Sequence, residues 1–371
     1  MQNVLFIHSS SELYGSDRSL LNIIKYIDKS KFNVSVILPC HGPLVDEMKK
    51  IPNITIEIFE IAILRRKNLS FKGMIKYIKN FIVSIRFLKK YIIENKIEIV
   101  DTNTAVVFPG AIAARNTGVK SVWHIREIIK NSLENKVISF LMQNYADLIV
   151  ANSIATGRAV NVSENKIRVV YNAVEEKSGL LLKTHNQLTI GMAGRINRWK
   201  GQKLLIDAAE KVHQKFPDAV FKIAGDTFKG EEKFKSDLQE YIKKKNLQDS
   251  VILLGQMDDM MDFYSSLDIF VLPSIQPEPF GLVIIEAMEF GIPVIATNHG
   301  GPKEIISNGI NGYLVTYQDC TEMTDCIVKL LENPKLRSQI GINGKIKKRE
   351  QFSIPTMVKR IEEIFYEALS I

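Results

Sequence analysis

Leu188-Thr-Ile-Gly191-Met-Ala-Gly194-Arg195-Ile-Asn-Arg-Trp-Lys200-Gly201 reads as a short apolar run, a turn with spaced cations, and the start of a helix over Lys203–Lys215. A β-branched run, a glycine turn and then a helical period make a β/α unit, with the turn beyond the carboxyl end of the strand. Glycines let backbone approach a phosphate, and Arg195 and Lys200 can neutralise a diphosphate by charge and hydrogen bonds. The spacing is neither a Walker A loop nor the spaced-glycine dinucleotide fingerprint, which argues against a nucleoside triphosphatase or a dehydrogenase. Alone, such a turn fits a structural role more readily than a binding one.

The same alternation extends in both directions. Before it, Asn3–His8, Val34–Leu38, Ile54–Phe59, Ile99–Asp101, Val119–Trp123, Leu148–Ala151 and Ile167–Val170 read as strands. Helical patterns at Ser19–Ile27, Phe71–Lys96, Pro109–Asn116, Glu134–Tyr145 and Ser153–Val160 lie between them. After it come strands at Val220–Ala224, Val251–Leu254, Ile269–Leu272, Pro293–Ala296 and Gly312–Val315. Their helices are Glu231–Lys244, Met257–Ser265, Phe280–Phe290 and Pro302–Ser307, and Ile354–Leu369 is a final amphipathic one. This predicts α/β architecture: two doubly wound parallel sheets meeting at a cleft formed by the carboxyl ends of their strands. The polar stretch 173–187 is the expected linker between domains 1–172 and 188–353, with 354–371 packing back on the first.

Composition agrees with two domains. The chain has 371 residues, 46% of them hydrophobic and 24% charged, which excludes a disordered or fibrous protein. Three cysteines without a CxxC pair exclude a disulfide framework and a structural zinc of that pattern. No secretory leader or membrane span is evident, so a cytoplasmic protein is expected. The net charge of +8 is uneven: residues 1–172 hold 24 Lys/Arg against 14 Asp/Glu, and the remainder 25 against 27. Leu64–Lys96 alone carries ten cations against Glu94, with Phe71, Ile75, Ile78, Ile82, Ile85, Leu88 and Ile92 at helical spacing. Two readings stand: a helix packed on its sheet with a solvated lysine face, or a basic surface touching anionic lipid headgroups. No helix-turn-helix, RNP or zinc-finger pattern accompanies the charge, so nucleic acid is not the expected partner.

A second constellation gives the glycine turn its meaning. Leu272-Pro-Ser-Ile-Gln-Pro-Glu278-Pro-Phe-Gly281-Leu-Val-Ile-Ile-Glu286-Ala-Met places two glutamates eight positions apart around a helix start. The free N–H groups after Gly281 suit phosphate oxygens. Glu286, among Ile284, Ile285 and Ala287, needs a partner, and sugar hydroxyls would serve.

With both constellations in one chain, the sequence resembles the retaining family 4 glycosyltransferases, "glycosyl transferases group 1", most strongly from Gly191 to Val315. The resemblance implies the GT-B fold of two Rossmann-like domains, acceptor-binding first and donor-binding second, with a nucleotide-diphosphate sugar as co-substrate and no metal or other cofactor. Transferred to the matching positions, it assigns catalysis to Glu278, His124, Arg195 and Lys200. It assigns donor binding to Gly15, Ser16, Gly194, Arg195, Lys200, Gln256, Met257, Glu278, Glu286 and the backbone of Phe280, Gly281 and Leu282. It implies an acceptor site in the first domain, and the basic helix Phe71–Lys96 of that domain points to a saccharide acceptor that is lipid-linked or part of a cell-envelope polysaccharide at the cytoplasmic face. Tyr14 stands where the family has the first glycine of a pair, and Ala173 where it often has glycine. A silent sugar-binding module and a nucleotide-sugar epimerase remain alternatives; the module would be marked by loss of Glu278, Arg195 or Lys200, and none is lost.

Overall fold

Runs such as Val34-Ser-Val-Ile-Leu38 and Ile269-Phe-Val-Leu272 are β-branched or aromatic and bear no charge, as strands covered on both faces must be. In the computed structural model, which describes residues 1–371 apart from 66, 67, 69, 178–186 and 258, these runs form two all-parallel sheets. Most of the predicted linker, 178–186, and the cations Arg66 and Lys67 thus lie outside the described residues. The chain divides into two units, Met1–Ala173 with Ile354–Ile371, and Val174–Ser353.

Among the described residues, the first unit has seven strands: β1 (Gln2–Ile7), β2 (Phe32–Leu38), β3 (Ile54–Ile58), β4 (Ile99–Thr102), β5 (Lys120–Ile125), β6 (Leu148–Ala151) and β7 (Ile167–Val169). Their order is β3-β2-β1-β4-β5-β6-β7, so the winding reverses between β1 and β4. The connecting helices are α1 (Gly15–Tyr26), α2 (Pro43–Lys49), α3 (Phe71–Glu94), α4 (Pro109–Thr117), α5 (Ser132–Tyr145) and α6 (Ile154–Arg158). In the second unit β8 (Thr189–Ala193), β9 (Val220–Ala224), β10 (Val251–Gly255), β11 (Ile269–Leu272), β12 (Val294–Thr297) and β13 (Tyr313–Val315) follow the order β10-β9-β8-β11-β12-β13. Helices α7 (Gln202–His213), α8 (Lys233–Lys244), α9 (Met261–Ser265), α10 (Leu282–Glu289), α11 (Pro302–Ile305), α12 (Cys320–Glu332) and α13 (Pro334–Gln351) belong to it. The last helix, α14 (Ile354–Ser370), returns to the first unit, where Phe365 packs edge-on against Phe6 and Phe32.

Three helices were not anticipated. The seven-residue α2 begins at Pro43, a residue that reads as a breaker but is favoured in a first turn. Within residues 316–353, where the sequence pattern predicts no element, the chain forms α12 and α13. The second of these is polar over most of its length and carries Gly341 and Gly344, which weaken any sequence signal. Gly341 is required by packing: a Cβ there would fall 1.9 Å from the carbonyl oxygen of Gly291.

The basic helix departs from its expected packing. Ser70 caps it by accepting from the Gly73 amide at 3.2 Å. Its inward face is Tyr77, Phe81, Ser84, Leu88 and Ile92, whereas Phe71, Ile75, Ile78 and Ile82 stand exposed. The apolar residues therefore divide into two stripes, of which only one meets the core. No helix of the described residues is long and apolar enough to cross a membrane.

Candidate functional site

In a doubly wound sheet the loops leave in opposite directions at the reversal point, and ligands bind beyond the strand ends there. In the second unit that point lies between β8 and β11. The turn after β8 carries Gly194, Arg195 and Lys200 into α7, and the loop after β11 carries Ser274 and Glu278 into α10.

Gly201 makes the first of these loops possible. It sits at φ +79°, and a Cβ would lie 1.9 Å from the Pro273 carbonyl oxygen, so the two loops touch through a residue without a side chain. The side chain of Asn197 accepts from the amides of Trp199 and Lys200 at 3.1 and 3.0 Å, folding the turn so that Lys200 points across to the other loop. There its Nζ donates to Oε2 of Glu278 at 2.7 Å, and Ser274 Oγ donates to the same oxygen at 3.0 Å. Glu278 is held from behind by backbone: the Gly301 amide donates to its carbonyl at 2.8 Å. Arg195 lies with its guanidinium 3.3 Å from the centre of the Phe228 ring, a cation–π contact.

Gly281, at φ +100°, is the N-cap of α10. In its first turn the Ile284 amide donates to the Gly281 carbonyl at 2.9 Å, which leaves the amides of Leu282 and Val283 without an intrahelical acceptor. Phe280 is buried and packs edge-on against Phe352, so only its backbone is presented to the site. Glu286, one turn into α10, is half-buried and accepts from the Tyr264 hydroxyl at 2.7 Å. Burial, and secondarily the Glu286 carboxylate, hold the Tyr264 phenol well above its ordinary range, so it remains a donor. Gln256 and Met257 follow Gly255 at the end of β10, with Gln256 exposed.

At the corresponding edge of the first sheet, His124 is buried near the end of β5. Its Nε2 bonds Asp101 Oδ2 at 2.8 Å, and Arg126 Nη2 lies 3.2 Å from its Nδ1. That pairing makes Nε2–H the donor and Nδ1 the acceptor. Arg126 also donates to Asn103, Asn172 and Ser19. His8, at the end of β1, joins through Asp17 at 2.6 Å and Asn103 at 3.3 Å. Burial lowers the His124 imidazole below its ordinary range despite Asp101, and lowers Arg126 to about 10. Gly15 and Ser16 are the opening residues of α1, whose first turn is tied by the Tyr14 amide donating to Asp17 at 2.8 Å.

The structure thus brings Arg195, Lys200, Glu278, Gly281 and Glu286 to one sheet edge of the second unit. Gly15, Ser16 and His124 belong to the first. Sequence reading missed Ser274 and Tyr264 in the second unit, and His8, Asp17, Asp101, Asn103 and Arg126 in the first. The one available signal for these was the polar residues at strand ends: His8, Asn103 and Arg126 each lie within a residue of one.

Two family models match in tandem, Glycosyltransferase Family 4 over residues 14–178 and Glycosyl transferases group 1 over residues 174–347. The UDP-Gal:alpha-D-GlcNAc-diphosphoundecaprenol alpha-1,3-galactosyltransferase of Escherichia coli is 26% identical over 386 residues, covering 96% of this chain and 94% of that protein. The lipopolysaccharide core biosynthesis mannosyltransferase LpsB of Rhizobium meliloti is 27% identical over 266 residues, covering 71% and 72%. The crystal structure of Anabaena Alr3699/HepE in complex with UDP and glucose superposes with a TM-score of 0.83 at 25% identity, covering 99% of this chain and 100% of that one. Tandem family matches across both units, on two parallel-sheet α/β domains, mean that the chain belongs to the family 4 glycosyltransferases of the GT-B fold, with relatives in polysaccharide and cell-envelope biosynthesis.

Proposed function

We propose that the enzyme transfers a sugar from a nucleotide-diphosphate sugar to a saccharide acceptor with retention of anomeric configuration. The observation that carries this reading is the meeting of Lys200 and Glu278 at 2.7 Å, from loops on opposite sides of the winding reversal. A phosphate-binding cation and a carboxylate suited to sugar hydroxyls then stand side by side, with the first turn of α10 next to them. In this reading Arg195, Lys200 and the backbone from Phe280 to Leu282 hold the diphosphate and neutralise the departing charge, without a metal ion. Glu278 contacts the transferred sugar, Glu286 the ribose hydroxyls, and Gln256 and Met257 the base. The amides of Gly15 and Ser16 serve the donor from the first unit, and His124, assigned to catalysis by the family resemblance, is read instead as a positioning residue because Asp101 and Arg126 occupy both its ring nitrogens.

The bond from the anomeric carbon to the leaving phosphate oxygen breaks while the acceptor oxygen bonds that carbon from the same face. The acceptor proton passes to the leaving phosphate oxygen. A lipid-linked acceptor at the cytoplasmic face of a membrane is the further part of the proposal, with basic helix α3 docking on an anionic leaflet. The name of the Escherichia coli relative, which specifies a diphosphoundecaprenol substrate, supports it. NMR of the product tests the chemistry: the donor's anomeric configuration is expected, and inversion would overturn the proposal.

A further inference from the structure

We propose that Glu289, the last residue of α10, is a positioning residue for the donor site. It joins the helix that presents the diphosphate-binding amides to both points where the chain passes between the units. This role rests on the donor-site reading above and deepens it by assigning what holds the far end of that helix.

Apart from Glu286, Glu289 is the only charged residue of α10, and it is 1% exposed. Both features work against it. A carboxylate at a helix C-terminus opposes the helix dipole, and burial penalises its charge. Two partners keep it there. Lys348 of α13, fully buried, donates to its Oε2 at 2.5 Å, and the backbone amide of Lys177 donates to its Oε1 at 2.9 Å. The lysine balances the charge, whereas the amide bond fastens a segment of chain.

That segment and the end of α13 are where the chain passes between the units. The second unit begins at Val174, three residues before Lys177, and ends at Ser353, five residues after Lys348. The last turn of α13 also reaches the other end of α10. Phe352, whose amide donates to the Lys348 carbonyl at 2.8 Å, packs edge-on against Phe280 with ring centroids 5.9 Å apart. Phe280 directly precedes Gly281, the N-cap of α10. The two helices lie close: a Cβ at Gly344 of α13 would fall 3.1 Å from Cγ of Met288. A helix of eight residues is a rod about 12 Å long, so fixing Glu289 at one end fixes the amides of Leu282 and Val283 at the other. All of these residues belong to the second unit, so the coupling is built inside it. By linkage, a tether that strengthens binding at those amides is itself strengthened by the bound ligand, by the same factor.

Three forms of the full chain test this: the intact protein, Glu289→Leu/Lys348→Met and Glu289→Gln/Lys348→Met. Both double variants remove the ion pair, and only the glutamine keeps an oxygen for the Lys177 amide. Removing both charges together preserves the fold, since apolar side chains of similar volume replace a buried pair well, and thermal melts check this. UDP, GDP, ADP and dTDP are the probes, with Kd measured by calorimetry. For whichever nucleotide the intact protein binds, Kd should rise about tenfold in the leucine variant and stay within about threefold in the glutamine variant. Amide hydrogen exchange of the intact protein supplies the reciprocal measurement and needs no variant to fold. The nucleotide should slow exchange over residues 174–177 by about the same tenfold. A folded leucine variant that binds as the intact protein does, or two variants weakened alike, would overturn the tether. So would bound nucleotide that leaves exchange over 174–177 unchanged. An intact protein that binds none of the four nucleotides would overturn the donor-site reading itself, and the tether with it.

Discussion

The two sheet edges spend their polar residues differently. In the first unit, His8, Asp17, Asp101, Asn103 and His124 lie almost wholly out of water, and with the half-buried Arg126 they bond mainly to one another. In the second, Lys200 and Glu278 form a compact pair, while Glu286 and Gln256 are open to solvent in part or in full. A closed network fixes loop positions, because removing any member strands a buried partner. Lys200 and Glu278 are only 13% and 10% exposed, but they are a single charged pair whose mutual bond a charged ligand can replace with bonds of its own. In the proposed reading the second edge receives the charged substrate, whereas the first holds its loops in place.

Replacing Arg126 by Met should have the largest effect on folding. It strips donors from Asn103, Asn172 and Ser19 and leaves Asp101 and Asp17 without a cation, so about 3 kcal/mol of stability should be lost in denaturant titration. An unchanged midpoint would show that the first edge is as open as the second. Tyr264→Phe should cost less, about 1 kcal/mol, read as a rise in donor KM with the melting temperature nearly kept, because Glu286 loses one donor that orients it. The smallest effect is in pH. The folded state holds His124 neutral, with Asp101, Arg126 and His8 around it, whereas the unfolded chain takes up the proton below about 6.5. The unfolded state then binds more protons in that window, so stability must fall as pH drops through it. The slope should not exceed about 1.4 kcal/mol per pH unit from this single group, and His124→Gln should flatten it.

What was legible in the sequence follows the same division. The second edge is encoded locally: Gly194, Lys200 and Gly201 lie within eight residues, and Glu278, Gly281 and Glu286 within nine, so the two stretches together carry the family resemblance that assigned their roles. Tyr264 was hidden because its partner is 22 residues away on another helix. The first edge was harder still, since Arg126 meets Ser19 across 107 positions and Asn103 across 23, and only the sheet order brings β1, β4 and β5 side by side. The strands themselves were readable from short runs rich in β-branched residues. Helix α3 was placed correctly, but its two apolar stripes could not be told apart, because helical period alone does not say which stripe the sheet covers.

Turnover of a nucleotide-diphosphate sugar by Lys200→Ala tests the central claim most directly, with the melting temperature measured on the same sample. If Lys200 stabilises charge on the departing diphosphate, kcat should fall by about 100-fold or more while the fold persists. Turnover close to that of the intact enzyme, in a variant that melts normally, would contradict the assignment of the second edge as the donor site.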